Sequence, residues 1–185
     1  MNITFATKDD TAEIIRLWQS AFGDDEDYIL HFLDYAFAKT QILLLKNNDN
    51  LLSMLTLIPA NMKSRQEDLP TYYIYAVATD ENYRGRGFCR KLLSFAEDMA
   101  KEQNISALFL ITETDDLINF YEKLGFSICK NLNILMKNKD TEYIYKPKFD
   151  DVGNIYANTM VRWLTPACNV LEIVIEAKLS TITKF

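Results

Sequence analysis

The stretch Tyr72–Leu93 (YYIYAVATDENYRGRGFCRKLL) constrains the fold more than any other part of the chain. An apolar run ending at Thr79 predicts a strand, Asp80–Asn82 predict a turn, and two glycines set among arginines lead into an amphipathic helix. A helix that starts at such a turn directs unpaired backbone N–H groups and the positive end of its dipole at one place. A phosphate group suits that place, so the sequence predicts an anion site at Arg84–Arg90.

The chain before this stretch predicts two helices and a hairpin. Apolar residues repeat at helical spacing over residues 10–23 and 28–37, so we expect two amphipathic helices after a short first strand. Two apolar runs flank Asn47–Asn50, which predicts two strands joined by a tight turn. Pro59 predicts the end of the second strand, and the polar segment Asn61–Leu69 predicts a loop.

The chain after it predicts further strands and helices. The helix that follows the glycines ends near Asn104, Ile105–Thr112 is apolar enough for a buried strand, and a short helix starts near Asp115. Two short strands follow over residues 126–137. Hairpins imply antiparallel neighbours, whereas the strand–helix–strand unit implies one parallel pair. The sequence therefore predicts an α/β (α+β) fold with a mixed, mostly antiparallel central sheet of about seven strands covered by helices.

The composition disfavours several classes of function. A net charge of −6 argues against nucleic acid, which normally requires a basic surface. The three cysteines, Cys89, Cys129 and Cys168, form no CxxC pair and no even set, so we expect no disulfide framework. The single histidine, His31, leaves no zinc site and no Ser–His–Asp set. Without a leader segment or an apolar run near the ~18 residues of a membrane span, we expect a soluble, cytoplasmic protein with no metal and no membrane partner.

Two motifs together resemble the GNAT family of N-acetyltransferases. Arg84–Cys89 (RGRGFC) is similar to the family's R/Q-x-x-G-x-G/A signature, with Cys89 in place of the usual small residue. Asn119–Phe126 (NFYEKLGF) resembles its second signature, and a predicted strand lies between the two. The resemblance covers residues 1–139. It implies a GNAT-like acyl-CoA N-acyltransferase fold and transfer of an acetyl group from acetyl-CoA to the amine of a small molecule or peptide.

The resemblance also implies roles for individual residues. Backbone N–H groups of Arg84–Arg90, called the glycine segment below, hold the coenzyme A pyrophosphate, and the strand before this segment pairs with the pantetheine amides. The implied cofactor-binding residues are Val77, Ala78, Thr79, Arg84, Gly85, Arg86, Gly87, Phe88, Cys89 and Arg90. Tyr121 would protonate the departing thiolate, which suits a phenol with a pKa of about 10. Glu113 is the candidate general base, acting directly or through water, because Thr71–Tyr75 contains no carboxylate.

Each of these residues also has a structural interpretation. The glycines could form a plain turn, Tyr121 could be a packing residue, and Glu113 could be a solvated charge at a strand end. Cys89 at a helix N-terminus could instead be a reactive thiol with a lowered pKa. The acidic run Asp24–Asp27 either provides favourable charge at a helix start or forms a rim that attracts a cationic substrate.

Two alternatives to acetyl transfer stay open at the level of function. One is a non-catalytic acyl-CoA-binding regulatory module that keeps the fold, and the other is transfer of a longer acyl group. The predicted domains are an acetyltransferase domain over residues 1–139 and an extension over residues 140–185. In the extension, helical spacing predicts a helix from Val152 to Leu164, and alternation predicts a strand from Leu171 to Leu179. This segment would pack on the core, cover a sheet edge, or contact a second subunit in a homodimer.

Overall fold

The computed structural model describes residues 1–48, 50–64, 67–112, 114–129, 133–137, 142–145, 158–165 and 170–176. Its α-helices are α1 (Thr11–Phe22), α2 (Glu26–Lys39), α3 (Phe88–Glu102) and α4 (Asp115–Glu122). Its strands are β1 (Asn2–Phe5), β2 (Gln41–Asn47), β3 (Asn50–Ser64), β4 (Asp68–Thr79), β5 (Ala107–Thr112), β6 (Ser127–Ile128), β7 (Asn133–Lys137), β8 (Glu142–Tyr145), β9 (Asn158–Trp163) and β10 (Val170–Glu176). Short 3₁₀ helices cover Lys8–Asp10 and Glu81–Tyr83.

The described residues form two compact units. The first contains Met1–Ile58 and Ile74–Met99, and the second contains Pro59–Tyr73 and the described residues from Ala100 onward. The long strands β3 and β4 are each divided between the two units, with one part of the strand in each.

In the first unit, β1 and β2 are antiparallel, and β2 is antiparallel to β3. Residues 43–45 of β2 are completely buried, so this strand is covered on both faces. An aromatic cluster joins the helices to β4: the ring of Tyr75 lies 5.7 Å from that of Trp18 on α1 and 5.3 Å from that of Phe32 on α2. The Tyr75 hydroxyl also forms a hydrogen bond of 2.9 Å with the Tyr28 hydroxyl on α2. Burial of this cluster fixes both helices against the strand.

The second unit contains the strand order β6-β9-β5-β4-β3-β10-β7-β8. Pairs β4–β5 and β10–β7 are parallel, whereas pairs β5–β9, β6–β9, β10–β3 and β7–β8 are antiparallel. Phe109 of β5 is completely buried, and its ring stacks on Tyr73 of β4 with centroids 5.0 Å apart. The mixed, mostly antiparallel and helix-covered sheet is therefore confirmed, and the described residues contain ten strands.

The hairpin prediction at Asn47–Asn50 is confirmed, but the end of β3 was predicted wrongly. Asn47 pairs with Asn50, and Asn48 has φ +52°, as a tight two-residue turn requires. Pro59 does not end β3, and the strands extend into the predicted loop Asn61–Leu69 from both sides. Pairing of β3 with β2 stops at Leu57 and pairing with β10 starts at Ala60. Pro59 lies between the two ladders, where β3 changes its partner from β2 to β10, and proline is tolerated at such breaks in strand pairing.

The predicted C-terminal helix over Val152–Leu164 is wrong for residues 158–163, which form β9, and its residues 152–157 lie outside the described ones. This strand is hydrogen-bonded to β5 along one edge and to β6 along the other. Successive residues Thr159, Met160 and Val161 are all buried. A strand buried on both faces lacks the period-two pattern, which is why apolar spacing suggested a helix. The strand predicted from Leu171 is confirmed as β10, apart from residues 177–179, which lie outside the described ones. The domain boundary at residue 139 stays a prediction.

None of the helices in the described part of the chain combines the length and the apolar character needed to cross a membrane.

Replacement of Phe109 by alanine tests the packing of β5. Loss of a completely buried ring should lower the free energy of unfolding by about 3–5 kcal/mol, as measured by urea unfolding followed by circular dichroism. Phe95→Ala on α3 is the matched control, because that ring is 37% exposed and its loss should cost less than about 1 kcal/mol. Equal losses for the two variants would contradict this packing.

Candidate functional site

The glycine segment turns the chain from β4 into α3. Gly85 has φ +75° and Gly87 has φ +78°, a region in which an L-residue is strained. A Cβ atom built on either glycine would meet no atom within 4 Å. The backbone conformation, rather than lack of space, therefore requires glycine at both positions. The open space beside each glycine leaves the segment accessible to a ligand.

The N-terminus of α3 presents N–H groups beyond the last glycine. The N–H of Lys91 donates to the carbonyl of Gly87 at 3.0 Å, which closes the first turn of the helix. The N–H groups of residues 88–90 precede that turn, so they have no acceptor within the helix. Residues 84–87 and Arg90 are exposed. The segment thus offers backbone donors and the positive end of a helix dipole to an anion, and three exposed arginines lie in the same stretch of sequence.

Two of these arginines also brace the backbone. Arg84 Nε donates to the carbonyl of Thr79 at 3.3 Å, and Arg86 Nη2 donates to the carbonyl of Asn82 at 3.3 Å. The Arg86 guanidinium lies 5.1 Å from the centre of the Tyr83 ring. These contacts hold the two side chains over residues 79–83, so their charges stay near the glycines.

The predicted pantetheine-binding segment Val77–Thr79 follows a backbone irregularity in β4. The parallel register with β5 covers Thr71–Tyr73. Ala76 is buried and has φ +50°, which interrupts the alternation of a regular strand. On the β3 side, Ser53 Oγ donates to the carbonyl of Ala78 at 2.7 Å and lies 2.8 Å from Thr79 Oγ1. Residues 77–79 therefore have a fixed position beside β3.

Sequence reasoning missed an ion pair next to the glycine segment, between Asp80 and Arg16. Asp80 accepts hydrogen bonds from Asn82 and lies 3.0 Å from Arg16 Nη1 on α1. Arg16 and Asp80 are separated by 64 positions in the chain. No local pattern connects residues that far apart, so only the tertiary structure reveals the pair.

The structure contradicts the interpretation of Cys89 as an activated thiol. Cys89 lies at the start of α3 and is partly buried. Burial raises the pKa of its thiol to about 12, in the opposite direction to activation. The thiol is therefore uncharged at neutral pH and serves for packing. Of the groups of Cys89, the backbone N–H remains a candidate for binding an anion.

Tyr121 lies in the second unit, on α4, whereas residues 77–90 lie in the first. The side chain of Thr114 accepts a hydrogen bond from the N–H of Leu117 and caps this helix. Tyr121 is 6% exposed, and its ring contacts Phe120 and Phe126 at centroid distances of 5.1 Å and 5.6 Å. Packing accounts for the position of the ring, and the role of the hydroxyl stays a prediction. The candidate base Glu113 lies outside the described residues.

The acidic run Asp24–Asp27 has at least two structural carboxylates. Asp24 Oδ2 accepts a hydrogen bond from Trp18 Nε1 at 2.8 Å, and Asp25 caps α2 by accepting from the N–H of Tyr28 at 2.9 Å. Glu26 and Asp27 are exposed in the first turn of α2. Helix capping therefore explains part of the run, and only Glu26 and Asp27 remain for a role on the surface.

Solved structures resemble this fold at low sequence identity. The Escherichia coli GNAT family N-acetyltransferase YhbS, in complex with CoA, matches with a TM-score of 0.69 and 15% identity over 95% of this chain and 89% of that chain. The E. coli ribosomal-protein-S18-alanine N-acetyltransferase matches with a TM-score of 0.63 and 18% identity over 91% and 96%. These similarities support the GNAT-like fold that the sequence predicted.

A third structure is longer than this chain. It is an Enterococcus faecalis protein of unknown function, a probable N-acyltransferase, with a TM-score of 0.60 and 18% identity over 69% of this chain. The match spans 32% of that protein's length. The sequence model of the acetyltransferase (GNAT) domain matches residues 2–129, which include the glycine segment and Tyr121. The chain therefore belongs to the GNAT acetyltransferase family.

Proposed function

We propose that the protein transfers the acetyl group of acetyl-CoA to the primary amine of a small molecule or peptide. The observation that carries this proposal is the geometry of Arg84–Arg90. Two glycines with positive φ lead into an exposed helix N-terminus flanked by arginines. Family membership supports the same reaction class.

In this proposal the pyrophosphate of acetyl-CoA accepts hydrogen bonds from the backbone N–H groups of residues 84–90. The residues fit such a group, because neither glycine has an atom within 4 Å of the place where a Cβ would lie. Arg84, Arg86 and Arg90 supply the compensating charge. The backbone of Val77–Thr79 pairs with the pantetheine amides, as a neighbouring strand would.

The proposed chemistry is direct transfer. The amine nitrogen attacks the thioester carbon, a C–N bond forms, and the C–S bond breaks to release the coenzyme A thiolate. The protonated acceptor first loses a proton to Glu113 or to water, which frees the lone pair for attack, and its nitrogen loses a second proton to solvent once the C–N bond has formed. Tyr121 donates its phenolic proton to the departing thiolate and regains a proton from solvent. Holding the amine against the thioester supplies much of the rate enhancement. The raised pKa of Cys89 argues against an acyl-cysteine intermediate.

The acceptor carries a positive charge before it reacts, because an alkylamine is protonated in neutral water. The exposed carboxylates of Glu26 and Asp27 lie in the same unit as the glycine segment and would attract such a cation. We therefore propose an amine on a cationic or neutral molecule rather than on a strongly acidic one.

A non-catalytic acyl-CoA-binding module is the alternative function. It is favoured by the absence of a carboxylate from Thr71–Tyr75. A panel of amines, peptides and polyamines, with release of free thiol as readout, separates the two. Thiol release that depends on an amine supports the transferase. Binding of acetyl-CoA without thiol release for any acceptor supports the module.

Replacement of Gly87 tests the donor site. Gly87→Asp should weaken binding of CoA in calorimetry about 100-fold or more, because it places a carboxylate beside the pyrophosphate. Gly87→Asn is the matched control: it has the same shape and tolerance of positive φ, but no charge. We expect Asn to weaken binding about tenfold and Asp by a further ~10-fold or more. Wild-type affinity in Gly87→Asp would refute the assignment of this segment.

Replacement of Tyr121 tests the proton donor. Tyr121→Phe keeps the packing against Phe120 and Phe126 and removes only the hydroxyl. With an amine found in the panel, we expect kcat to fall about 10²-fold while the affinity for acetyl-CoA changes less than about twofold. Unchanged kcat would remove Tyr121 from its proposed role.

The pKa of Cys89 predicts slow alkylation of the folded protein. Iodoacetamide reacts with the thiolate, whose fraction at pH 8 is small when the pKa is about 12. Peptide mapping by mass spectrometry should find Cys89 labelled at least ~10-fold more slowly in native protein than in urea. The native rate should keep rising well above pH 9. Equal rates in the two states would contradict the burial of this thiol.

A further inference from the structure

Asp80 fixes the turn that precedes the glycine segment. Its Oδ1 accepts hydrogen bonds from Asn82 N at 3.1 Å and from Asn82 Nδ2 at 3.2 Å. Its own N–H donates to the carbonyl of Leu52 at 2.9 Å, and its carbonyl accepts from the N–H of Tyr83 at 2.8 Å. One residue therefore joins the end of β4, the strand β3 and the short helix that precedes the glycines.

Arg16 on α1 holds the remaining carboxylate oxygen of Asp80. Its Nη1 donates to Asp80 Oδ2 at 3.0 Å, and its Nη2 donates to the carbonyl of Leu51 at 3.3 Å. A second contact, at 3.2 Å, joins Nη2 to Glu13 Oε2 on the same helix. A planar guanidinium can make these contacts together because its donors diverge in a fixed fork.

The charges of the pair are matched. The hydrogen bond to Asp80 raises the pKa of Arg16. Burial tends to raise the pKa of Asp80, but the hydrogen bonds from Arg16 and Asn82 outweigh it and lower that pKa. Both groups are therefore ionised at neutral pH.

We propose that Arg16 is a positioning residue for the coenzyme A pyrophosphate, acting through Asp80 on the backbone of the glycine segment. This inference rests on the proposed function, since it assumes that the segment binds coenzyme A. No contact between Arg16 and the ligand is required. Arg16 sets the direction of the N–H groups, because it holds Asp80 at the turn that leads into the segment.

The exposure of the pair separates this role from general stability. The side chain of Arg16 is 47% exposed and that of Asp80 is 13% exposed. Ion pairs that reach solvent contribute little to the free energy of unfolding. Ligand affinity, in contrast, depends on donors that are ordered before the ligand arrives. Loss of Arg16 should therefore weaken binding of coenzyme A and leave the unfolding temperature almost unchanged.

The experiment is a double-mutant cycle with Arg16→Gln and Asp80→Asn, with the Kd of CoA measured by calorimetry. Each single variant should raise the Kd about 5- to 20-fold. The Kd of the double variant should lie within about twofold of the Kd of the single variant that binds CoA less tightly, because both substitutions break the same contact. Glu13→Gln is the matched control, since it removes the other carboxylate partner of Arg16 without touching the glycine segment. Its Kd should stay within about twofold of wild type.

A ligand fragment distinguishes positioning from loss of structure. Pantetheine lacks the pyrophosphate, so its affinity, measured by ligand-observed nuclear magnetic resonance, should change less than about twofold in Arg16→Gln. Equal weakening of CoA and pantetheine, or an unchanged Kd of CoA in Asp80→Asn, would overturn the inference. The Asp80 variant decides the matter if Arg16→Gln fails to fold. A wild-type protein that does not bind CoA would defeat the proposed function itself, before any variant is measured.

Discussion

The candidate anion site depends on one constraint, which is the change of backbone direction between β4 and α3. The chain must leave an extended strand and enter a helix so that its first N–H groups face outward. Positive φ at Gly85 and Gly87 makes this change without the cost of about 1–2 kcal/mol that a residue with a Cβ would pay at each position. Hydrogen bonds of Asp80 with Asn82 and of Arg84 with Thr79 fix the backbone just before the glycines. An anion site made from backbone groups is only as well defined as these supports.

The local part of this arrangement could be predicted from the sequence, and the tertiary part could not. Glycines, a preceding apolar run and a following amphipathic stripe are neighbours in the chain, so their pattern indicated a strand, a turn and a helix. Arg16 and Asp80 are distant in sequence, and either residue alone looks like an ordinary surface charge. Ala76 gave no signal at all, because nothing about alanine predicts φ +50° within a strand. Supports of a site are harder to predict than the site because they come from elsewhere in the fold.

The errors in the fold prediction have a common physical origin. Pro59 and the segment after it were interpreted from single-strand preferences, but β3 changes partners at that place, from β2 to β10. Residues 158–163 were interpreted from apolar spacing, but β9 is hydrogen-bonded on both edges and has consecutive buried residues. In both cases pairing with a distant strand decided the structure. The secondary-structure preference of a short segment has little weight when strand pairing supplies hydrogen-bond partners for its backbone groups.

Electrostatics explain how an acidic chain can present an anion site. A net charge of −6 repels coenzyme A at long range, but a Debye length of about 8 Å at physiological salt screens distant carboxylates. Charges close to a bound anion then dominate the interaction energy, and exposed Arg84, Arg86 and Arg90 lie within three positions of a glycine in the sequence. Asp80 and Glu81 are carboxylates just before the segment, and pairing with Arg16 compensates the charge of Asp80. In the proposed function, the pair that we infer to order the backbone also limits repulsion of the pyrophosphate, and the exposed carboxylates of Glu26 and Asp27 attract the cationic amine.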